Sequence, residues 1–198
     1  MSKYPEMELG EIAHVFVGLA RHGRGLSWEE NNPAAQLIGM RALRPHGLDF
    51  GAIETVHLSP RLNLDNYKIA AHDILLPCRG TEVRVILTPG KAAGMLIDSN
   101  LMAVRCGSQL AYQLLTAYFQ HPTGLAALLR ASQSTTAQKN LTVRLVKKIS
   151  LPVPPREVQD KAVALLQAGE QQHRLALQVA EKRLALAHNL AINLLFAE

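Results

Sequence analysis

Arg21, His22 and Arg24 are interleaved with glycines in the stretch LARHGRGLSWEENNPAA, with Trp28 close behind. Glycine allows the backbone to approach a phosphate closely, and an arginine fork can place two parallel hydrogen bonds on O6 and N7 of a guanine. These residue types at this spacing suit nucleic-acid binding, and they suit a solvated loop with incidental charge equally well. Arg41, Arg44, Arg61, Arg79, Arg84, Gln133 and Lys139 are further polar candidates of the same kind. Arg79, followed by Gly80, has a structural alternative, that of holding a turn.

Signatures of catalysis are weaker. Asp73 and Glu82-Val83-Arg84 loosely echo the acidic pair and basic residue of a metal-dependent nuclease, although arginine stands where lysine is usual. A surface-charged β-hairpin accounts for them as well. The chain has no GxxxxGK[ST] or GxGxxG phosphate loop, no HExxH and no paired CxxC. Its LPVPP lacks the Asn or Asp before Pro-Pro-aromatic that an amino-methyltransferase places at the reacting amine. The eight histidines lack ligand spacing, and His14, His57 and His72 fall in predicted sheet residues, so no metal site is expected. Cys78 and Cys106 are too few for a disulfide framework and lie in apolar surroundings.

Charge locates the candidate chemistry. Up to Pro155 there are 16 Lys and Arg against 11 Asp and Glu, while from Arg156 onward there are 5 of each. No acidic residue occurs between Asp98 and Glu157. A basic head followed by a neutral tail is the electrostatic footprint expected of a nucleic-acid binder. Neither a signal peptide nor 18 consecutive apolar residues is present, so a cytoplasmic protein off the membrane is expected.

The elements that must position these residues divide at Ile149–Leu166, ISLPVPPREVQDKAVALL. Before the prolines, short apolar and β-branched runs recur every eight to twelve residues: 11–17, 37–43, 52–58, 67–76, 82–87, 95–97, 101–106 and 141–146. Cys78-Arg79-Gly80 reads as a turn, residues 109–120 as an amphipathic helix, and Thr123 as the cap of a second short helix. After Pro155, about 40 residues contain no proline and glycine only at Gly169, and the good helix formers Ala, Leu, Gln, Glu and Lys dominate. The predicted class is α+β: a β-rich head of mixed and antiparallel strands with small helices (1–152), then a long helix (153–198). Val158, Leu165, Leu175, Val179, Leu186, Leu190 and Leu194 form an apolar stripe on it, interrupted by Gln172 and Lys182. Such a stripe calls for a second helix, in a coiled coil or a helical bundle.

Read in order, several pieces carry a resemblance. They are Leu9-Gly10-Glu11-Ile12 followed by Gly18; His72-Asp73-Ile74-Leu75-Leu76 with Arg79-Gly80; Thr135–Leu141 (TTAQKNL); and Ile149–Pro155 with Glu157 and Gln159. Together they resemble the target-recognition domain and adjoining helix of type I restriction-modification DNA specificity subunits. His72 stands where that family usually has glycine, and Ser134 where glycine often precedes the Thr-x-x-Gln run.

The resemblance implies that the head reads half of a bipartite site in double-stranded DNA and that the helix is a spacer and docking surface. Catalysis would lie on a separate DNA methyltransferase subunit, which would carry the S-adenosylmethionine, and sometimes also on a restriction or translocase subunit. A complete specificity subunit has two such domains and two helices, whereas this sequence shows one of each. A half-subunit that forms a homodimer is therefore expected. Two other functions fit the residues: a small nuclease on Asp73, Glu82 and Arg84, and a coiled-coil adaptor with a basic head.

Overall fold

The structure, a computed structural model, describes residues 3–20, 33–45, 47–58, 63–80, 83–133 and 139–196, and of 133 and 139 the backbone alone. The chain divides into two compact units, Met1–Pro155 and Arg156–Glu198.

The first unit begins with β1 (Glu6–Glu8), α1 (Leu9–Ile12), β2 (Ala13–Val17), β3 (Ala34–Ile38), β4 (Leu43–Arg44), β5 (Gly47–Leu48) and β6 (Glu54–His57). It continues through β7 (Ile74–Pro77), β8 (Arg79–Gly80), β9 (Ile86–Leu87), β10 (Leu96–Ile97) and β11 (Leu101–Cys106). It ends with α2 (Tyr112–Gln120), α3 (Pro122–Arg130), β12 (Ser132–Gln133), β13 (Lys139–Leu141), α4 (Val143–Lys147) and β14 (Ser150–Pro152). The second unit is the 41-residue helix α5 (Arg156–Phe196). The class is α+β with mixed and antiparallel sheets and a long C-terminal helix, as expected. Among the described residues no helix is long and apolar enough to cross a membrane.

The central sheet has the order β2-β11-β7-β9, antiparallel throughout. Strand alternation sends Val15, Ile74, Leu76, Met102 and Val104 to one face, where they share a core with Leu115, Phe119 and Leu128 of α2 and α3. Leu75, Leu101 and Ala103 go to the other face and meet Ile38, Ala42, Leu43 and Ala92. Burial on both faces explains why Ile74-Leu75-Leu76 and Leu101–Val104 are unbroken apolar runs. A second sheet, β10-β3-β6, is mixed, with β10 parallel to β3. Where Gly18 meets Ile97, a Cβ would stand 2.1 Å from the Ile97 carbonyl oxygen, so only glycine fits.

Several local expectations give way to specific interactions. Glu11 and Ile12 belong to α1, whose N-terminus is closed by a reciprocal pair in which the Glu11 carboxylate accepts the Glu8 N–H at 2.8 Å. The alternating run Leu141–Val146 is mostly helical because the Thr142 hydroxyl accepts the Leu145 N–H, starting α4. His121 caps α3 in place of Thr123: its Nδ1 accepts the Thr123 N–H while Pro122 takes the first helical position. Arg79-Gly80 is strand where a turn is predicted, and residues 40–42 form a 3-10 turn within the predicted strand.

Candidate nucleic-acid interface

Three short strands in the order β12-β13-β8 bring together residues far apart in sequence. Gln133 is opposite Asn140, and Asn140 is opposite Arg79; one step along, Lys139 is opposite Gly80. Directly opposed residues share a sheet face, so Arg79 and Asn140 project together, and Gln133 occupies the next register position in the row. At ~4.8 Å between strands, the row spans about 10 Å. Both Arg79 and Asn140 are exposed, and among the described residues no side-chain hydrogen bond or ion pair engages either. The sheet is anchored to the core by the Leu141 N–H donating to the Cys78 carbonyl at 2.8 Å and the Cys78 N–H donating to the Asn100 carbonyl at 2.7 Å.

Arg79 and Asn140 also line a cavity of about 430 Å³ with Val17, Cys78, Ser99, Leu141, Thr142 and Val143. Burial, reinforced by Asp98 and opposed by Arg79, pushes the Cys78 thiol up to about 12, and burial likewise pushes Cys106 up to about 11. Both are protonated thiols at neutral pH and serve as small apolar side chains, not nucleophiles.

A second basic group surrounds the β4–β5 hairpin. Arg44 pairs with Asp49 at 2.6 Å and donates to the Arg41 carbonyl at 3.2 Å. Arg84 donates to the Leu43 carbonyl at 3.3 Å. Lys91 lies over the Phe50 ring, 3.6 Å from its centroid.

The predicted site residues thus fall into three sets. Arg79, Gln133 and Lys139 meet in one small sheet; Arg41, Arg44 and Arg84 meet at the hairpin; Arg21, His22, Arg24 and Arg61 lie outside the described residues. Asn140 and Lys91 were missing from the candidates. Asn140 is the penultimate residue of the TTAQKNL run and Lys91 follows the Pro89-Gly90 turn, but neither shows in sequence which residues it will stand beside.

Asp73 has a different part. It is 1% exposed, and Arg105 grips both of its carboxylate oxygens, Nε to Oδ1 at 2.9 Å and Nη2 to Oδ2 at 2.7 Å. The Ala70 N–H adds a third hydrogen bond at 2.8 Å. A carboxylate held this way pins the turn before β7 and is not presented to a metal ion. Among the described residues no group of three potential ligands comes together.

On α5 every member of the predicted stripe is exposed, from 36% at Val158 to 79% at Leu194. Leu177, Leu184 and Leu195 are exposed as well.

No protein-family model matches the sequence, and no match is found among curated proteins. Solved structures do match. A chain from a structure concerned with complex assembly and conformational transition of the type I R-M system aligns with a TM-score of 0.60 at 17% identity, over 87% of this chain and 39% of that one. The HsdS subunit from Thermoanaerobacter tengcongensis aligns with a TM-score of 0.58 at 18% identity, over 85% of this chain and 38% of its own. At this identity the likeness establishes the fold: the chain is built as part of a type I specificity subunit is built, in agreement with the resemblance read from its motifs. It spans about two fifths of the length of either structure.

Proposed function

We propose that the chain is a sequence-specific DNA-recognition component of a type I restriction-modification system. In this reading residues 1–152 are the recognition domain and residues 153–198 the spacer and dimerisation helix. Two copies pair through their helices to present two heads to a symmetric bipartite site. Catalysis belongs to a separate DNA methyltransferase subunit, which binds S-adenosylmethionine, with a restriction or translocase subunit as a further cytoplasmic partner.

The observation that carries this reading is the Gln133–Asn140–Arg79 row. Arginine recognises guanine, and asparagine or glutamine recognises adenine, through paired hydrogen bonds at base edges. A row of these types in a basic unit, with Arg79 and Asn140 exposed, is a surface able to read a groove. The specificity-subunit fold supports the same reading, as does the structural duty of Asp73, which leaves a nuclease without its first acid. The test is enrichment of bound duplexes from a random pool by the full chain, alone and with a methyltransferase subunit. A bipartite motif with identical, inverted halves is expected; a pool with no shared motif in either preparation would sink the proposal.

A further inference from the structure

The DNA-recognition reading leaves open how the two basic groups divide the work, and their internal bonding differs in kind. At the hairpin three cationic side chains, those of Arg44, Arg84 and Lys91, are tied to protein. The Arg44 fork is spent on Asp49 and the Arg41 carbonyl, an Arg84 Nη is spent on the Leu43 carbonyl, and the Lys91 ammonium is seated on Phe50. A guanidinium whose fork is taken cannot give two parallel hydrogen bonds to a base. It still holds a positive charge at a fixed place, which a phosphate can meet without any sequence-dependent geometry. Lysine likewise meets phosphate as a point charge. In the small sheet the situation is reversed, since Arg79 and Asn140 keep their donors and acceptors unspent among the described residues.

Geometry lets both groups serve one stretch of duplex. Arg79 and Arg84 are five residues apart, so the chain holds their Cα atoms within about 18 Å. A DNA turn measures ~34 Å, which places the two groups within about half a turn of one another. Other basic residues have a local explanation. Arg130 and Lys147 sit in the last turns of α3 and α4, where a cation complements the helix carbonyls. Residues 40–44 and 90–92 offer only three-residue 3-10 turns, too short for that account.

We infer that the β4–β5 hairpin with Lys91 is a phosphate clamp. It positions the duplex through Arg44, Arg84 and Lys91 without reading sequence, while the β12-β13-β8 sheet reads base edges. The clamp rests on the DNA-recognition reading and adds Lys91, seated by Phe50, as a contact residue. It is anchored by the core beneath it, where Ala42, Leu43 and Ala92 are fully buried.

The experiment compares Arg44→Gln and Lys91→Gln with Arg79→Gln and Asn140→Ala, all at exposed positions. Each full-length variant is taken through the same enrichment, and then through salt titration on the wild-type motif. The clamp variants are expected to keep the motif, bind more weakly, and flatten the slope of log affinity against log salt by about 0.9 per lost contact. The sheet variants are expected to relax the motif at one or two base pairs in each half-site. An unchanged slope, or a changed motif, in the clamp variants overturns the inference, as does an unchanged motif in both sheet variants. A wild-type chain that recovers no motif would instead remove the DNA-recognition reading itself.

Discussion

His72 has φ 69°, in the left-handed region where a side chain costs roughly 1–2 kcal/mol relative to glycine. Its ring lies nearly parallel to that of Tyr112, with centroids 4.2 Å apart and planes at 6°. Such a pair is worth about 0.5–1.5 kcal/mol, which roughly offsets the backbone term. The turn before Asp73 thus has a glycine's backbone with a histidine in it. His72→Gly is expected to unfold within about 1 kcal/mol of wild type, since strain and stacking leave together. His72→Val keeps the strain, adds β-branching and loses the ring, and should cost at least about 2 kcal/mol in urea unfolding. Equal effects of the two substitutions would argue against this balance. Next to it, Arg105→Ala would strand a buried carboxylate and is expected to destabilise by about 3 kcal/mol, somewhat below a fully buried pair because Arg105 is 40% exposed. Arg105→Lys should recover only part, because one ammonium cannot match the two-point grip on Asp73. A midpoint shift equivalent to less than about 1 kcal/mol for Arg105→Ala would show the pair to be dispensable.

At the scale of elements, the crossing of α2 and α3 depends on Gly124. A Cβ there would stand 1.9 Å from the Tyr118 carbonyl oxygen and 2.9 Å from the Phe119 Cα, both backbone atoms that cannot swing aside. Gly→Ala in an exposed helix usually stabilises by about 1 kcal/mol. Here the sign reverses, and Gly124→Ala is expected to lower the thermal midpoint markedly, by several degrees, with loss of the packing among Phe119, Leu128 and Leu115. A raised midpoint would show the helices to be separable. Elements differ in how far they can be read from sequence. α5 and β11 are legible because many residues repeat one instruction: 41 positions without proline, dominated by Ala, Leu, Gln, Glu and Lys, in the first case and six unbroken strand positions in the second. The small sheet is not legible. Its strands have two or three residues, too few for a period to show, and the pairing of Arg79 with Asn140 spans some sixty residues. In α4 the alternation of LTVRLV argues for strand, but one hydroxyl at Thr142 decides for helix. The candidate site was therefore readable as a set of residue types in loops, and its assembly from two ends of the domain was not.

For the molecule as a whole, α5 poses an energetic question that a single copy leaves unanswered. Its 41 residues extend about 60 Å, and the stripe from Val158 to Leu194 is exposed along it. Burying a side chain of this class completely gains about 1.5–3 kcal/mol, and partial burial of seven from each of two helices gains on the order of 10–20 kcal/mol. Association costs roughly 4–15 kcal/mol, so the surplus is compatible with a dimer at micromolar concentration, though not with an indefinitely tight one. Charge does not oppose it, since α5 onward carries five basic and five acidic residues, and Arg156–Asp160 and Glu157–Lys161 already pair within the helix. Gln172 and Lys182 in the seam weaken the pairing but also favour one register over its neighbours. Leu186→Glu and Leu190→Glu each place a carboxylate in the stripe. Either is expected to turn a dimer into a monomer in light scattering at tens of micromolar, while the melting of the first unit stays unchanged. A wild-type chain already monomeric at that concentration, and unmoved by either substitution, would reserve the stripe for a different helix and remove the homodimer from the proposed function. If the dimer stands, the same substitutions should abolish enrichment of a two-part motif while leaving each half-site's base preferences intact, because assembly and reading then reside in separate units of the chain.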